Sequence, residues 1–131
     1  MIVLDTHALI WWVSGPASLS RKARLAIEKE LPDGEILISS ISTWEIATLV
    51  AKNRLVLSMD VSSWISTAAA IEGVRFVPVD NEISIKSTEL IGKFHKDPAD
   101  RIIVATARKF AAPLVTSDDK IRTYAHVKTI W

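Results

Sequence analysis

Three short, wholly apolar runs constrain this chain more than any other feature: Ile2-Val3-Leu4, Ile36-Leu37-Ile38 and Leu114-Val115. Each is too short for a helix and shows no polar alternation, so each reads as a strand buried on both faces. The segments between them have helical period. Ser20 precedes a stripe of Ala23, Ile27 and Leu31. Trp44, Ala47 and Val50 or Ala51 recur at helical spacing across 41–52, and Asp97-Pro98 opens a run to about Ala111. Residues 6–13, 82–92, the segment from Asp60 to Gly73 and a short stretch after Asp118 also read as helices. Phe76-Val77-Pro78-Val79 reads as a third strand, at an edge because of its proline, and Val127 to Trp131 as a fifth strand. Strands alternating with helices predict an α/β fold. Its form is three layers, α/β/α, around a mostly parallel sheet of four or five short strands.

The 131 residues predict one domain, 1–131. A chain of this mass folds to a surface of roughly 6,900 Å² from roughly 21,000 Å² unfolded, so its core needs no covalent staples. The absence of cysteine excludes a disulfide scaffold, an iron–sulfur centre, a thiolate zinc site and a cysteine nucleophile. No apolar run approaches the ~18 residues of a membrane span. No basic stretch precedes an apolar one at the start, so a cytoplasmic protein is expected. The net charge of +1 is uneven: from Lys86 to Trp131 there are nine Lys/Arg and five Asp/Glu. A basic surface around an acidic centre suits a polyanion, although an ordinary solvated surface has the same arithmetic.

Open parallel sheets bind ligands beyond the carboxyl ends of their strands. Asp5 directly follows the first strand, Glu45 lies in the first turns of the helix after the second, and Asp118 and Asp119 follow the fourth. Asp97 and Asp100 open the long helix that feeds the fourth strand, so its N-terminus points to the same rim. Each acid also has a purely structural reading. Asp5 and Asp118 suit helix caps, and Ser42-Thr43-Trp44-Glu45 suits a capping box. Asp97-Pro98-Ala99-Asp100 suits a cap, a first-turn proline and a first-turn acid. Together, however, like charges on one rim repel by several kcal/mol unless a cation neutralises them. Oxygen donors without cysteine point to Mg²⁺ or Mn²⁺.

These residues resemble the PIN-domain ribonucleases. Val3-Leu4-Asp5-Thr6-His7-Ala8-Leu9 is similar to their opening motif and Ser39-Ser40-Ile41-Ser42-Thr43-Trp44-Glu45-Ile46 to their second. His95-Lys96-Asp97-Pro98-Ala99-Asp100-Arg101 is similar to the third, and Leu114-Val115-Thr116-Ser117-Asp118 to the fourth. Order, spacing and length most resemble the VapC toxins of toxin–antitoxin pairs. Ala99 departs from the phenylalanine common there. The resemblance implies a PIN-like α/β/α fold and an acidic quartet of Asp5, Glu45, Asp100 and Asp118 holding Mg²⁺ or Mn²⁺, with Asp5 and Asp100 as the foremost ligands. Asp118 is preferred to Asp119 because it fills the aspartate position of Thr-x-Asp. Thr6, Asp97 and Arg101 form a second tier. Thr6 would orient Asp5 or meet a phosphate, and Arg101 would hold a phosphate or form an ion pair. The implied reaction is hydrolysis of RNA phosphodiesters to 5′-phosphate and 3′-hydroxyl ends. The implied partners are an antitoxin seated in an apolar groove of the early helices near Trp11 and Trp12, and a second copy in a homodimer. DNA would be met only through the antitoxin.

Other readings compete. An RNA-processing PIN nuclease without an antitoxin has the same residues. A phosphatase would show a second aspartate near Asp5. A receiver would phosphorylate Asp80 but needs an acidic pair near the first strand, which is absent. His7, His95 and His126 have no spacing that marks a metal-free acid–base pair. Trp11, Trp12, Trp44, Trp64 and Trp131 are expected in the core or at an interface, with base stacking as the alternative.

Overall fold

A computed structural model describes residues 1–131. Five strands form: β1 (Ile2–Leu4), β2 (Ile36–Ser39), β3 (Val74–Val77), β4 (Leu114–Val115) and β5 (Thr129–Ile130). Seven α-helices connect them: α1 (Thr6–Ser14), α2 (Arg21–Glu30), α3 (Ile41–Ala51), α4 (Val61–Ala69), α5 (Asn81–Thr88), α6 (Pro98–Lys109) and α7 (Asp119–Arg122). The sheet runs β3-β2-β1-β4-β5, and every neighbouring pair is parallel. Val3 faces Leu37 on one side and Leu114 on the other, so the three apolar runs of the sequence are the three central strands.

Side-chain alternation along those strands makes the two faces. Ile2, Leu4, Ile36, Ile38 and Val115 pack with Leu9 of α1, Ile27 of α2, Ile46 of α3 and Trp64 of α4. Val3, Leu37 and Leu114 point the other way and pack with Ile83 of α5, Ile103 and Val104 of α6, and Ile121 of α7. Complete burial of each such side chain contributes roughly 1.5–3 kcal/mol. Trp64 also satisfies its indole N–H, which donates to Ser14 Oγ at 2.7 Å.

The chain winds outward from β1 through β2 to β3, then returns to the far side of β1 for β4 and β5. The direction of winding therefore switches between β1 and β4, which opens a crevice beyond their carboxyl ends.

Several boundaries differ from the sequence expectation. β3 starts at Val74, because Gly73 turns the chain at φ +92° and Ile36 N–H donates to its carbonyl at 2.8 Å. α4 stops at Ala69, short of that glycine, and α5 stops at Thr88 ahead of the left-handed Gly92. α3 corrects the sequence reading of its apolar side. It buries Ser42 and Ile46, while Trp44, Ala47 and Ala51 face solvent. Trp44, expected in the core or at an interface, is 61% exposed.

Candidate active site

The crevice is built from four strand and helix ends. Asp5 leaves β1 with its backbone N–H bonded to Val115 O of β4 at 3.1 Å, which pins it at the switch point. Its side chain caps α1, with Oδ1 accepting from Ala8 N–H at 2.8 Å. Oδ2 accepts from the Thr116 hydroxyl. Asp5 is only 8% exposed. Burial pushes its carboxyl above the ordinary range, against the lowering effect of the Thr116 and Ala8 hydrogen bonds.

Thr116 was absent from the predicted site, yet it ties two of the acids together. Its fully buried oxygen also accepts from Asp118 N–H at 3.1 Å, so one hydroxyl sets the Asp5 side chain and the backbone that presents Asp118. The Thr-x-Asp motif carries the signal, since its hydroxyl lies two residues before the aspartate whose backbone it holds. Asp118 then caps α7 through Lys120 N–H at 2.9 Å. Asp119 stays outside the crevice, its side chain 90% exposed beside Arg122.

Glu45 makes no capping box. α3 already begins at Ile41, and Glu45 Oε1 instead accepts from the Thr6 hydroxyl at 2.5 Å. Thr6 Oγ1 also lies 2.8 Å from the buried Ser42 Oγ. Thr6, 4% exposed, therefore orients Glu45 rather than Asp5. Burial raises the Glu45 carboxyl, partly offset by the Thr6 hydrogen bond.

Asp97 caps α6 by accepting from Asp100 N–H at 3.1 Å. Asp100, one turn in, is pushed up to about 7, first by burial and then by the charges of Asp97, Asp118, Glu45 and Asp5. His95 Nε2 stands 3.0 Å from Asp100 Oδ2 but lacks hydrogen-bond geometry to it. Arg101 does not form the expected ion pair. It pairs with no acid and donates to the carbonyls of Ser87 (2.8 Å), Phe94 (3.1 Å) and His95 (3.2 Å), clamping the loop between α5 and α6.

Asp5, Thr6, His7, Glu45, Asp97, Asp100, Ser117 and Asp118 thus line one cavity of about 220 Å³. A hollow of about 300 Å³ elsewhere mixes Glu82 and Glu89 with Lys86, Arg108 and Lys109, so its acids are balanced by bases, with one base to spare. The acidic cavity has no such balance. No three His, Asp or Glu side chains converge as they stand on one ion position. A small hard cation does not need them to, because Mg²⁺ takes one or two carboxylates and keeps several waters. Asp5, Glu45, Asp100 and Asp118 all line the cavity and are the carboxylates that could supply such donors.

The comparisons with known proteins agree with this geometry. The PIN domain family model matches residues 2–127. Ribonuclease VapC22 of Mycobacterium tuberculosis is 36% identical, over 99% of this chain and 98% of that protein. Two solved structures share the fold. VapBC2 from Rickettsia felis bound to a promoter DNA fragment has TM-score 0.72 and 18% identity, over 98% of this chain and 97% of that one. A toxin–antitoxin complex from Klebsiella pneumoniae has TM-score 0.66 and 23% identity, over 97% and 95%. With its acids at the switch point and a match along nearly its whole length, the chain belongs to the PIN-domain family and, within it, to the VapC ribonucleases.

Proposed function

We propose that this protein is a Mg²⁺- or Mn²⁺-dependent endoribonuclease, the toxin of a toxin–antitoxin pair, acting in the cytoplasm. The observation that carries the reading is the unbalanced acid cluster. Carboxylates from four separate segments share one small cavity, and burial followed by the charges of its neighbours pushes the Asp100 carboxyl up to about 7.

Asp5 and Asp100, with Asp118 and Glu45 completing the set, would hold a divalent ion, which would supply positive charge to the phosphate oxygens and lower the pKa of water. The chain's own residues do the rest. Ala8 and Thr116 hold Asp5 in one rotamer, so the ligand is preorganised. Thr6 fixes one oxygen of Glu45, which leaves the other to orient the attacking water. Half-buried Asp118 faces the same space from β4. In-line attack of that water on phosphorus expels the 3′ oxygen and leaves 5′-phosphate and 3′-hydroxyl ends.

The antitoxin seat expected near Trp11 and Trp12 is part of the same reading. Trp11 and Trp12 themselves are half-buried against the core, with Trp11 against the rings of His7 and Trp131. A hollow of about 460 Å³ is lined by Val13, Val56, Leu57, Met59 and Trp64 together with Ser14, Ser58 and Thr67, and Val56 there is 92% exposed. An apolar antitoxin segment fits there, and the pairing of two toxin chains belongs to the same reading.

The test is incubation of the purified chain with total RNA in Mg²⁺, Mn²⁺ or EDTA, followed by end-group analysis. Induction in cells, with and without the product of the neighbouring upstream gene, accompanies it. Cleavage indifferent to EDTA, or 2′,3′-cyclic phosphate ends, overturns the mechanism. Harmless expression of a chain active in vitro replaces the toxin with an RNA-processing enzyme.

A further inference from the structure

Trp44 immediately precedes Glu45 on α3, yet α3 turns the two to different surroundings. Glu45 enters the acidic cavity and Trp44 remains 61% exposed. Beside it lies a second hollow, of about 360 Å³, walled by Ile41, Trp44, Pro98 and Ala99 and bordered by Glu45 and Asp97. Those two acids also line the acidic cavity, so the sites share a wall and form one continuous surface. One compartment is ionic and the next is aromatic and apolar.

That division matches the division within a single nucleotide strand. Phosphates are anionic and need the cation, whereas bases are neutral and present flat π faces. An indole left largely in water is a stacking platform that accepts any base. Ala99, small and 5% exposed, leaves room in the hollow, and Pro98 adds a rigid apolar ring to its lining. We propose that Trp44 is a positioning residue for the substrate, stacking on the base next to the scissile phosphate so that the phosphate is held over Asp5 and Asp100. This rests on the ribonuclease reading above. Stacking there adds binding that the ground and transition states share, so it acts on KM more than on kcat.

The experiment uses the full chain and a synthetic RNA that spans a site the wild type cuts in total RNA. Trp44→Ala and Trp44→Leu are expected to raise KM about tenfold, with kcat within about twofold, and Trp44→Phe to retain most of the affinity. An abasic ribose beside the scissile phosphate should weaken the wild type by a similar factor. It should cost Trp44→Ala little more, because the base and the indole are partners in one contact. Wild-type KM in Trp44→Ala overturns the inference and leaves the nuclease reading standing. So does a loss that follows a changed oligomeric state in size-exclusion chromatography, which would give the face to a second copy of the chain. So does a loss of antitoxin capture with unchanged KM. No cleavage of any RNA by the wild type removes the nuclease reading and this inference with it.

Discussion

Asp5, Asp60 and Asp80 do the same local work in different electrostatic settings. Each opens a helix and accepts from the backbone N–H three residues on, at 2.8, 3.1 and 2.9 Å. The exposed caps lie below the usual carboxylate range. Hydrogen bonds from Ser63 lower Asp60, and the Ile83 N–H followed by the Lys109 charge lowers Asp80. Asp5 goes the other way because burial outweighs the same cap. Asp80 is the instructive case, since it too follows a strand at the carboxyl edge. It follows β3, however, at the margin of the sheet, and meets Lys109 at 3.5 Å. Asp5 follows the central strand and meets other acids. Capping is a local property, whereas acid clustering is set by position in the sheet.

The largest effect should come from neutralising the central acids. Asp5→Asn keeps an N-cap acceptor, and Asp100→Asn removes a repelled charge, so both should fold and hold or raise Tm. Loss of a metal ligand should reduce RNA cleavage at least about 1,000-fold, since the ion supplies several kcal/mol to the transition state. Circular dichroism and a cleavage assay decide this. Unfolding with activity retained in the folded fraction would show that these acids only support the starts of their helices.

A smaller loss is expected from Thr116→Val. The isostere leaves Asp5 Oδ2 and Asp118 N–H without their shared partner, costing about 1–3 kcal/mol of stability. Metal affinity, measured by titration, should fall about 10–100-fold as the ligand loses its fixed rotamer. Thr116→Ser should restore most of it. A Val variant with wild-type affinity would show that Asp5 needs no such support.

The opposite pKa directions predict opposite pH effects, to be measured by denaturant titration in EDTA. The folded-state carboxyl of Asp100 is raised from 3.8 to about 7. The folded state therefore binds the extra proton between these values, and this group's contribution is full below about 4 and lost as pH rises to about 7. Asp60 and Asp80 are lowered, so their contribution is present above the usual carboxylate range and lost as pH falls through their folded-state values. Asp100→Asn should flatten stability between pH 4 and 7 relative to the wild type. An unchanged slope would mean that the cluster does not repel as its geometry requires.

The same contrast explains what was legible in the chain. Ile2-Val3-Leu4 can pair only as a buried strand, and Ser20 and Asp97 cap helices by rules that span four residues. The acids after the strands followed from topology, once alternation implied a parallel sheet. What escaped was decided by contacts between segments far apart in the chain. Glu45 fitted a capping box, but Ser39 Oγ already accepts from Ile41 N–H at 3.2 Å and α3 starts early, which leaves Glu45 free for Thr6. Arg101 reads as a phosphate or ion-pair residue, but its Nε and Nη1 donate to the Ser87 carbonyl at the end of α5 and to the Phe94 and His95 carbonyls of the loop after it. Trp44 shares its helix with Ile46, and hydropathy cannot say which of two apolar stripes the sheet will cover.

The smallest effect is the control that makes the comparison sharp. Asp80→Ala removes a cap of the same form as Asp5 and an exposed ion pair with Lys109, whose side chain is 29% exposed. An ion pair with a solvent-exposed partner adds little, so the loss is essentially that of the cap. Tm should fall by a few degrees, with RNA cleavage and metal affinity unchanged. Asp119→Asn should do less still, since Asp119 holds no cap and sits outside the cavity, while Asp118→Asn should lower activity sharply. If Asp80→Ala impaired catalysis as Asp5→Asn does, position at the switch point would not be what separates these aspartates. The acidic cavity would then have to extend along the sheet edge to β3.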